Sequence, residues 1–288
     1  MNALLPESIP EALDMLARDP AAVPMAGGTD LLVHWPVRIE AHDRTYLDLS
    51  RLEDLKPLTW KADELVLGAL TTYWDVIRDE RVDREFPLLV QAARQVGAIQ
   101  IQARGTWAGN VVNASPAADG VPALMAYDAT VVLESRRGRE EVPLDRFYSG
   151  YKEMRRRADQ LVVAIRIPRR TYSFQIFEKV GSRRAQAIAK VGLAVTHSDA
   201  GWRVVAASVA PTIRRCLAVE RLLETGARAG VSSSEDLSPA IAQDVAPIDD
   251  IRSSARYRNR AMARVLYHDL KDFWGPLLER RPRADPLP

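Results

Sequence analysis

Residues 105 to 118 carry no charged side chain, although 27% of the residues in this 288-residue chain are charged. Glycine at positions 105 and 109 allows the backbone to approach a ligand closely. Ser115 followed by Pro116 is typical of a helix N-cap and the first helical residue. A long surface loop with a cap is the alternative, but an uncharged stretch of this length is unusual in a solvated loop. The segment is therefore predicted to line a ligand site.

A second small-residue segment, Ala26 to Leu31, follows a predicted strand at residues 22–25. Gly27 and Gly28 allow successive backbone N–H groups to turn toward one centre, which makes a site for an anion such as a diphosphate. Thr29 adds a hydroxyl donor. Asp30 would repel a phosphate, so it is expected to cap a following helix or to turn away. A structural β-turn explains this short segment equally well.

Periodicity predicts a mixed α and β chain. Helices are predicted at residues 9–18, 87–96, 217–225, 239–245 and 257–274, and strands at 22–25, 45–49, 64–69, 129–134, 161–167, 191–196 and 203–209. Ser8 and Glu11 form a predicted capping box, and hairpin turns are expected near Gly138 and Gly201. The pattern changes after Pro168. A boundary near residue 170 is predicted, with domains 1–170 (parts about 1–58 and 59–170) and 171–288.

Composition excludes several classes of protein. The 40 basic and 38 acidic residues nearly cancel, so a nucleic-acid partner is not indicated. The single cysteine, Cys216, excludes an internal disulfide and an iron–sulfur cluster held by this chain alone. No signal peptide and no apolar run of about 20 residues is present, so a cytoplasmic protein without a membrane span is expected. The arginine runs at 155–157, 183–184 and 214–215 are typical of solvated surface.

Familiar catalytic and nucleotide-binding motifs are also missing. The sequence contains neither G-x-G-x-x-G nor G-x-x-x-x-G-K-[ST], which argues against a Rossmann domain or a P-loop. The histidines, at positions 34, 42, 197 and 268, lack the spacing of metal ligands. No metal site is predicted in this chain.

The two small-residue segments, in this order, resemble the FAD-binding medium subunit of the molybdenum hydroxylases. That family includes xanthine dehydrogenases and carbon monoxide dehydrogenase. The matching words are Ala-Gly-Gly-Thr-Asp-Leu at 26–31, Gly-Ala-Leu-Thr-Thr at 68–72, Thr-Trp-Ala-Gly-Asn at 106–110, Asn-Ala-Ser-Pro-Ala-Ala-Asp at 113–119, Phe-Glu-Lys-Val-Gly-Ser-Arg-Arg at 177–184 and Tyr-Arg-Asn-Arg-Ala-Met at 257–262. Each word is weak evidence by itself. The ordered set spans nearly the whole chain.

The resemblance implies an α+β fold: a two-part FAD-binding domain of the vanillyl-alcohol-oxidase (PCMH) type, followed by a small α+β C-terminal domain. It implies FAD as the cofactor of this chain and no catalytic acid or base. The residues it assigns to FAD are Ala26, Gly27, Gly28, Thr29, Asp30, Leu31, Thr72, Thr106, Trp107, Ala108, Gly109, Asn110, Ser115, Asp119, Val162 and Lys179.

The chain departs from the family pattern at two positions. The second loop of the family usually reads Thr-Ile-Gly-Gly-Asn, whereas this chain has Trp107 and Ala108. If position 108 required a positive φ, alanine would cost about 1 kcal/mol there, and FAD binding would be weakened. The inserted, cysteine-ligated cluster of the 4-hydroxybenzoyl-CoA reductase branch is excluded, because residues 134 to 141 form a short hairpin and Cys216 is alone.

By resemblance, the partners are a large subunit with the molybdenum cofactor and a small subunit with two [2Fe–2S] clusters. Electrons would pass from the clusters to FAD and then to an external acceptor, either NAD, a quinone or oxygen. Two alternatives stay open: a stand-alone flavin oxidoreductase of the same fold, and a scaffold subunit that has lost FAD.

Overall fold

The computed structural model describes residues 2–35, 43–225 and 231–278, so His42 lies outside the described residues. The strands are β1 (Asn2–Leu4), β2 (Val23–Met25), β3 (Thr45–Asp48), β4 (Leu58–Trp60), β5 (Glu64–Gly68), β6 (Thr130–Ser135), β7 (Gly138–Pro143), β8 (Tyr148–Gly150), β9 (Glu153–Met154), β10 (Leu161–Pro168), β11 (Tyr172–Val180), β12 (Val191–Ser198), β13 (Gly201–Ala207) and β14 (Arg214–Arg215). The helices are α1 (Ile9–Arg18), α2 (Tyr73–Arg78), α3 (Glu80–Glu85), α4 (Pro87–Arg94), α5 (Ile99–Gln102), α6 (Trp107–Asn113), α7 (Gly120–Ala126), α8 (Leu217–Thr225), α9 (Ser238–Asp244) and α10 (Ala255–Leu278).

The first sheet is parallel, with the strand order β1-β3-β2. Helix α1 connects β1 to β2 and buries Ala12, Leu13 and Leu16 on one face. Ser8 caps this helix as predicted, since its hydroxyl accepts a bond from the Glu11 amide. The Glu11 carboxylate, however, accepts from the amide of Glu7, one residue before the cap. The Ala26–Leu31 loop directly follows strand β2.

The second sheet is antiparallel, with the order β4-β5-β10-β6-β7. Strand β10 lies at its centre and is buried almost throughout, because both neighbouring strands and the helical layer cover it. The predicted β6–β7 hairpin is confirmed, and Gly138 occupies its turn with a φ of +115°. The strand predicted to stop at Pro168 ends there. Its first residues, Leu161 and Val162, reach the cleft described below.

A layer of helices covers this sheet. Helix α4 begins at Pro87 as predicted and ends at Arg94, shortly before Gly97, which adopts a φ of +51°. Half of the uncharged segment 105–118 is helical rather than a loop, since α6 covers residues 107–113. The small side chains of this segment allow α6 to pack closely, with Val111 fully buried. Residues of this segment, among them Gly105 and Gly109, also line the cleft described below.

The third sheet is antiparallel, with the order β11-β12-β13-β14, and Gly201 forms the predicted hairpin turn with a φ of +83°. One face of this sheet packs on α8, α9 and α10 to form a core of its own. The opposite face contributes Ala194, Val205 and Ala207 to the core of the preceding part. Two cores that meet across one sheet support the boundary near residue 170, which we propose as the limit between a 1–170 domain (parts 1–58 and 59–170) and a 171–288 domain.

Tyr127 connects these two parts through a buried hydroxyl. It accepts a bond from the Leu88 amide at 3.1 Å and donates to Gln175 Oε1 at 2.6 Å. We expect Tyr127→Phe to lower the free energy of unfolding by about 1–3 kcal/mol, because the buried Leu88 N–H loses its acceptor. Urea unfolding measures this loss. An unchanged midpoint and slope would show that the Leu88 amide finds another partner.

Candidate cofactor site

A cleft of about 630 Å³ opens between the first sheet, helix α6 and the start of strand β10. Apolar residues line much of its wall, and polar groups are concentrated in a few segments. The lining residues are Val23, Pro24, Ala26–Leu31, Val33, Leu49, Ala69, Tyr73, Val96, Ile101, Gly105, Thr106, Ala108–Asn110, Val112, Asn113, Lys152, Arg156 and Gln160–Val162. An apolar cleft with a few convergent polar groups is typical of a cofactor site.

The Gly27–Gly28 loop forms one wall and requires its glycines for different reasons. A Cβ atom at Gly27 would lie 1.8 Å from the carbonyl oxygen of Arg104, so the two loops touch backbone to backbone. The Arg104 Nε also donates to the carbonyl oxygen of Gly27 at 3.4 Å. Gly28 adopts a φ of +71°, a left-handed conformation that favours glycine. Both glycines are therefore needed to bring this loop against residues 104–105.

The amides of this loop are available to a ligand. Leu32 N donates to the carbonyl of Gly28, and Val33 N donates to the carbonyl of Asp30. The amides of Gly27, Gly28 and Thr29, by contrast, donate to no acceptor in the part of the chain that the structure describes. Consecutive free amides beside a partly buried cleft are a suitable site for phosphate oxygens.

The opposite wall is formed by the first turn of α6. Thr106 caps this helix, accepting a bond from the Gly109 amide at 3.0 Å. A Cβ at Gly109 would lie 2.9 Å from the Thr106 hydroxyl oxygen, so this position also excludes a side chain. Ala108 is not among the described residues with positive φ. The expected strain at Ala108 is therefore absent, because the residue lies within a regular helical turn, and the weakening of FAD binding inferred from it loses its basis.

Trp107 points away from the cleft into the core. Its side chain is fully buried and its ring lies 5.0 Å from that of Tyr73, centroid to centroid. The indole Nε1 has no hydrogen-bond partner among the described residues. Tyr73 forms part of the cleft wall, so Trp107 supports that wall from behind.

Of the two outcomes expected for Asp30, the helix cap is not formed, and Ser115 differs from its predicted role. The Asp30 carboxylate caps no helix but accepts a bond from Asn113 Nδ2 at 2.9 Å, which ties the first loop to the end of α6. The hydroxyl of Ser115 accepts from the amide of Ala117, and the next helix begins only at Gly120. The prediction of a helix start at Ser115 was wrong, because the side chain closes a local turn instead.

Asp119 and Lys179 form an ion pair at 2.6 Å that connects the segment before α7 with strand β11. Both side chains are largely buried, at 14% and 6% exposure. Lys179 Nζ also donates to the carbonyl of Gln95 at 3.0 Å. Burial raises the pKa of Asp119 to about 6, against the opposing effect of the Lys179 charge. The pair is thus a short and largely buried ionic contact between the two parts of the chain.

The cleft brings together most of the residues assigned by resemblance, but not all of them. Those that line it are Ala26, Gly27, Gly28, Thr29, Asp30, Leu31, Thr106, Ala108, Gly109, Asn110 and Val162. Those outside its lining are Thr72, Trp107, Ser115, Asp119 and Lys179. Thr72 caps α2 through Asp75 and pairs with Thr106, which fixes the second loop in place.

Sequence reasoning missed three polar residues of the cleft, Lys152, Arg156 and Gln160. Arg156 belongs to an arginine run that looked like solvated surface, and no local pattern separates it from its neighbours. Within the described ranges, no group of three or more histidine, cysteine, aspartate or glutamate side chains could hold a metal ion. No helix of this part of the chain is both long and apolar enough to cross a membrane.

Comparisons with known proteins agree with this architecture. The family described as FAD binding domain in molybdopterin dehydrogenase matches residues 1–170, and the CO dehydrogenase flavoprotein C-terminal domain matches residues 176–272. A xanthine dehydrogenase FAD-binding subunit of Escherichia coli O157:H7 is 30% identical over 267 residues, covering 87% of this chain and 88% of that protein. The carbon monoxide dehydrogenase medium chain of Hydrogenophaga pseudoflava is 29% identical over 279 residues, covering 94% and 96%. A solved structure of carbon monoxide dehydrogenase from the same organism has a TM-score of 0.84 at 26% identity, covering 96% of this chain and 97% of that chain.

Proposed function

The chain belongs to the FAD-binding subunits of the molybdopterin dehydrogenases, and from this premise we propose that the cleft between the Gly27–Gly28 loop and helix α6 holds its FAD. The observation that carries this proposal is that Gly27, Gly28 and Thr29, whose amides have no acceptor among the described residues, line the same cleft as the first turn of α6. The FAD diphosphate is the part of the cofactor that such amides suit.

The remaining walls fit the other parts of the cofactor. Apolar side chains such as Val23, Leu49, Val96 and Val162 offer surfaces for flat rings. Asn110 also belongs to the cleft wall and adds a polar residue to it.

The electron-transfer role follows from family membership. Bound FAD supplies the redox chemistry, and this chain supplies its position and electrostatic surroundings. We propose that electrons arrive from [2Fe–2S] clusters of a small subunit, in a complex whose large subunit carries the molybdenum cofactor. We propose further that they leave to an external acceptor, NAD, a quinone or oxygen, and that the complex works in the cytoplasm.

The visible absorption spectrum of the purified full-length chain, before and after FAD is added, tests this proposal. We expect a bound-flavin spectrum at about one FAD per chain, because the cleft presents one set of free amides. A chain that retains no FAD after unbound flavin is removed by gel filtration, both alone and with its iron–sulfur and molybdenum partners, would overturn the assignment. Turnover of a substrate by the chain alone would instead favour a stand-alone flavin oxidoreductase.

A further inference from the structure

Two cationic side chains, Lys152 and Arg156, line the cleft without a carboxylate partner among the described residues. The next arginine in the chain, Arg157, is different: it forms ion pairs with Glu140 and Asp159, each at 3.1 Å. Among the residues that the structure describes, Asp30 alone contributes a carboxylate to the cleft lining. The cleft therefore presents more positive than negative charge.

The guanidinium of Arg156 is held in place by backbone oxygens. Its Nη1 donates to the carbonyls of Arg157 at 3.1 Å and Gln160 at 2.8 Å. The Nε and Nη2 groups have no acceptor in the described parts of the chain, although a guanidinium offers five N–H donors. Burial lowers the pKa of Arg156 from its usual value, because desolvation disfavours the charged form. An anion in the cleft would offset that cost.

The fold brings these cations into the same cleft as the amides of the Gly27–Gly28 loop. Lys152 occupies the tip of the β8–β9 hairpin with a φ of +55°. Tyr148, on the same hairpin, donates from its hydroxyl to the carbonyl of Val111 in α6 at 2.9 Å. The end of α6 is tied in turn to the first loop by the bond from Asn113 to Asp30. The hairpin, α6 and the Gly27–Gly28 loop thus surround one cleft.

We propose that Arg156, assisted by Lys152, is a second anion-binding element of this cleft and neutralises the diphosphate of FAD. The inference rests on the proposed function. The loop amides supply directional hydrogen bonds but no full charge, whereas the FAD diphosphate carries two negative charges. Arg156 provides a full charge with donors already oriented by the 157 and 160 carbonyls, which favours phosphate oxygens. The amides of residues 27–29 then provide hydrogen bonds to the FAD diphosphate, and Arg156 provides the positive charge that balances it.

The test uses the full-length chain stripped of flavin, with FAD added at low and at high salt. We expect Arg156→Met to weaken FAD binding by about tenfold or more at low salt and to reduce the salt dependence of the Kd, because one charge contact with phosphate is lost. Arg156→Lys keeps the charge, so it should retain the salt dependence of the Kd and bind FAD more tightly than Arg156→Met. Arg157→Met is the matched control, because its charge is already paired outside the cleft, and it should bind FAD like the unsubstituted chain.

A structural role in the 156–160 turn predicts a different pattern. In that case Arg156→Met would lower the urea midpoint of the flavin-free chain, and Arg156→Lys, which cannot reproduce the guanidinium contacts, would bind FAD as poorly as Arg156→Met. Either that result or an unchanged Kd in Arg156→Met overturns the proposal. If the unsubstituted chain itself takes up no FAD, the proposed function fails first, so the two failures are distinguishable.

Discussion

Gly27→Ala should leave the chain with less than about one tenth of its bound FAD. The added methyl group would force apart two backbone segments that are packed in direct contact. The added Cβ would lie 1.8 Å from the carbonyl oxygen of Arg104, which is backbone and cannot rotate away. The loop must then separate from residues 104–105, and the amides of Gly27, Gly28 and Thr29 lose their common orientation. Flavin content per chain, measured by absorbance after gel filtration, reports the loss.

The controls separate a local effect from general backbone strain. Gly28 and Gly138 both have positive φ, and a Cβ at either position meets no backbone. Alanine at each should cost about 1 kcal/mol of stability. Gly28→Ala should weaken FAD binding, because the strain falls on the anion-binding loop, whereas Gly138→Ala lies in the β6–β7 turn and should retain full flavin. Full FAD retention in Gly27→Ala, with native circular dichroism, would show that this loop does not form the site.

Lys179→Met should lower the free energy of unfolding at pH 8 by about 3–5 kcal/mol, the range typical of a buried ion pair that loses one partner. The Asp119 carboxylate would remain buried without its cation, and the carbonyl of Gln95 would lose a donor. The double variant Asp119→Asn/Lys179→Met should recover part of the loss. Lys56→Met, which removes an exposed partner of Glu53, is the control and should cost no more than about 1 kcal/mol.

The pH dependence gives this prediction a second measurement. Burial raises the pKa of Asp119 to about 6 from an ordinary value of 3.8, so the folded chain holds this proton more tightly than the unfolded chain. The resulting stabilisation is fully present below pH 4 and is lost as the pH rises through 6. Below pH 6 the Lys179 ammonium also loses its charged partner, so the deficit of Lys179→Met should be smaller at pH 5 than at pH 8. Equal deficits at both values would contradict a charge-based role.

Local sequence determined most of the secondary structure. The Ser8 cap, the turns at Gly138 and Gly201 and the stop at Pro168 each depend on residues within a few positions, so propensity and hydrogen bonding to neighbours suffice to place them. The short motifs of small residues, which occur in the same order as in the family, likewise identified that family. These features can be recognised in the chain because their physical causes lie close together along it.

The tertiary structure alone decided which side chains face the cleft. Trp107 belongs to the second loop in sequence, yet long-range packing against Tyr73 turns it into the core. Asp119 and Lys179 lie far apart in the chain and meet because strand β11 passes beside the segment that precedes α7. Arg156 lines the cleft, whereas its neighbour Arg157 pairs with Glu140, and only the fold of the 156–160 turn separates the two. Such orientations depend on contacts between distant segments, which the pattern of residues along one segment does not contain.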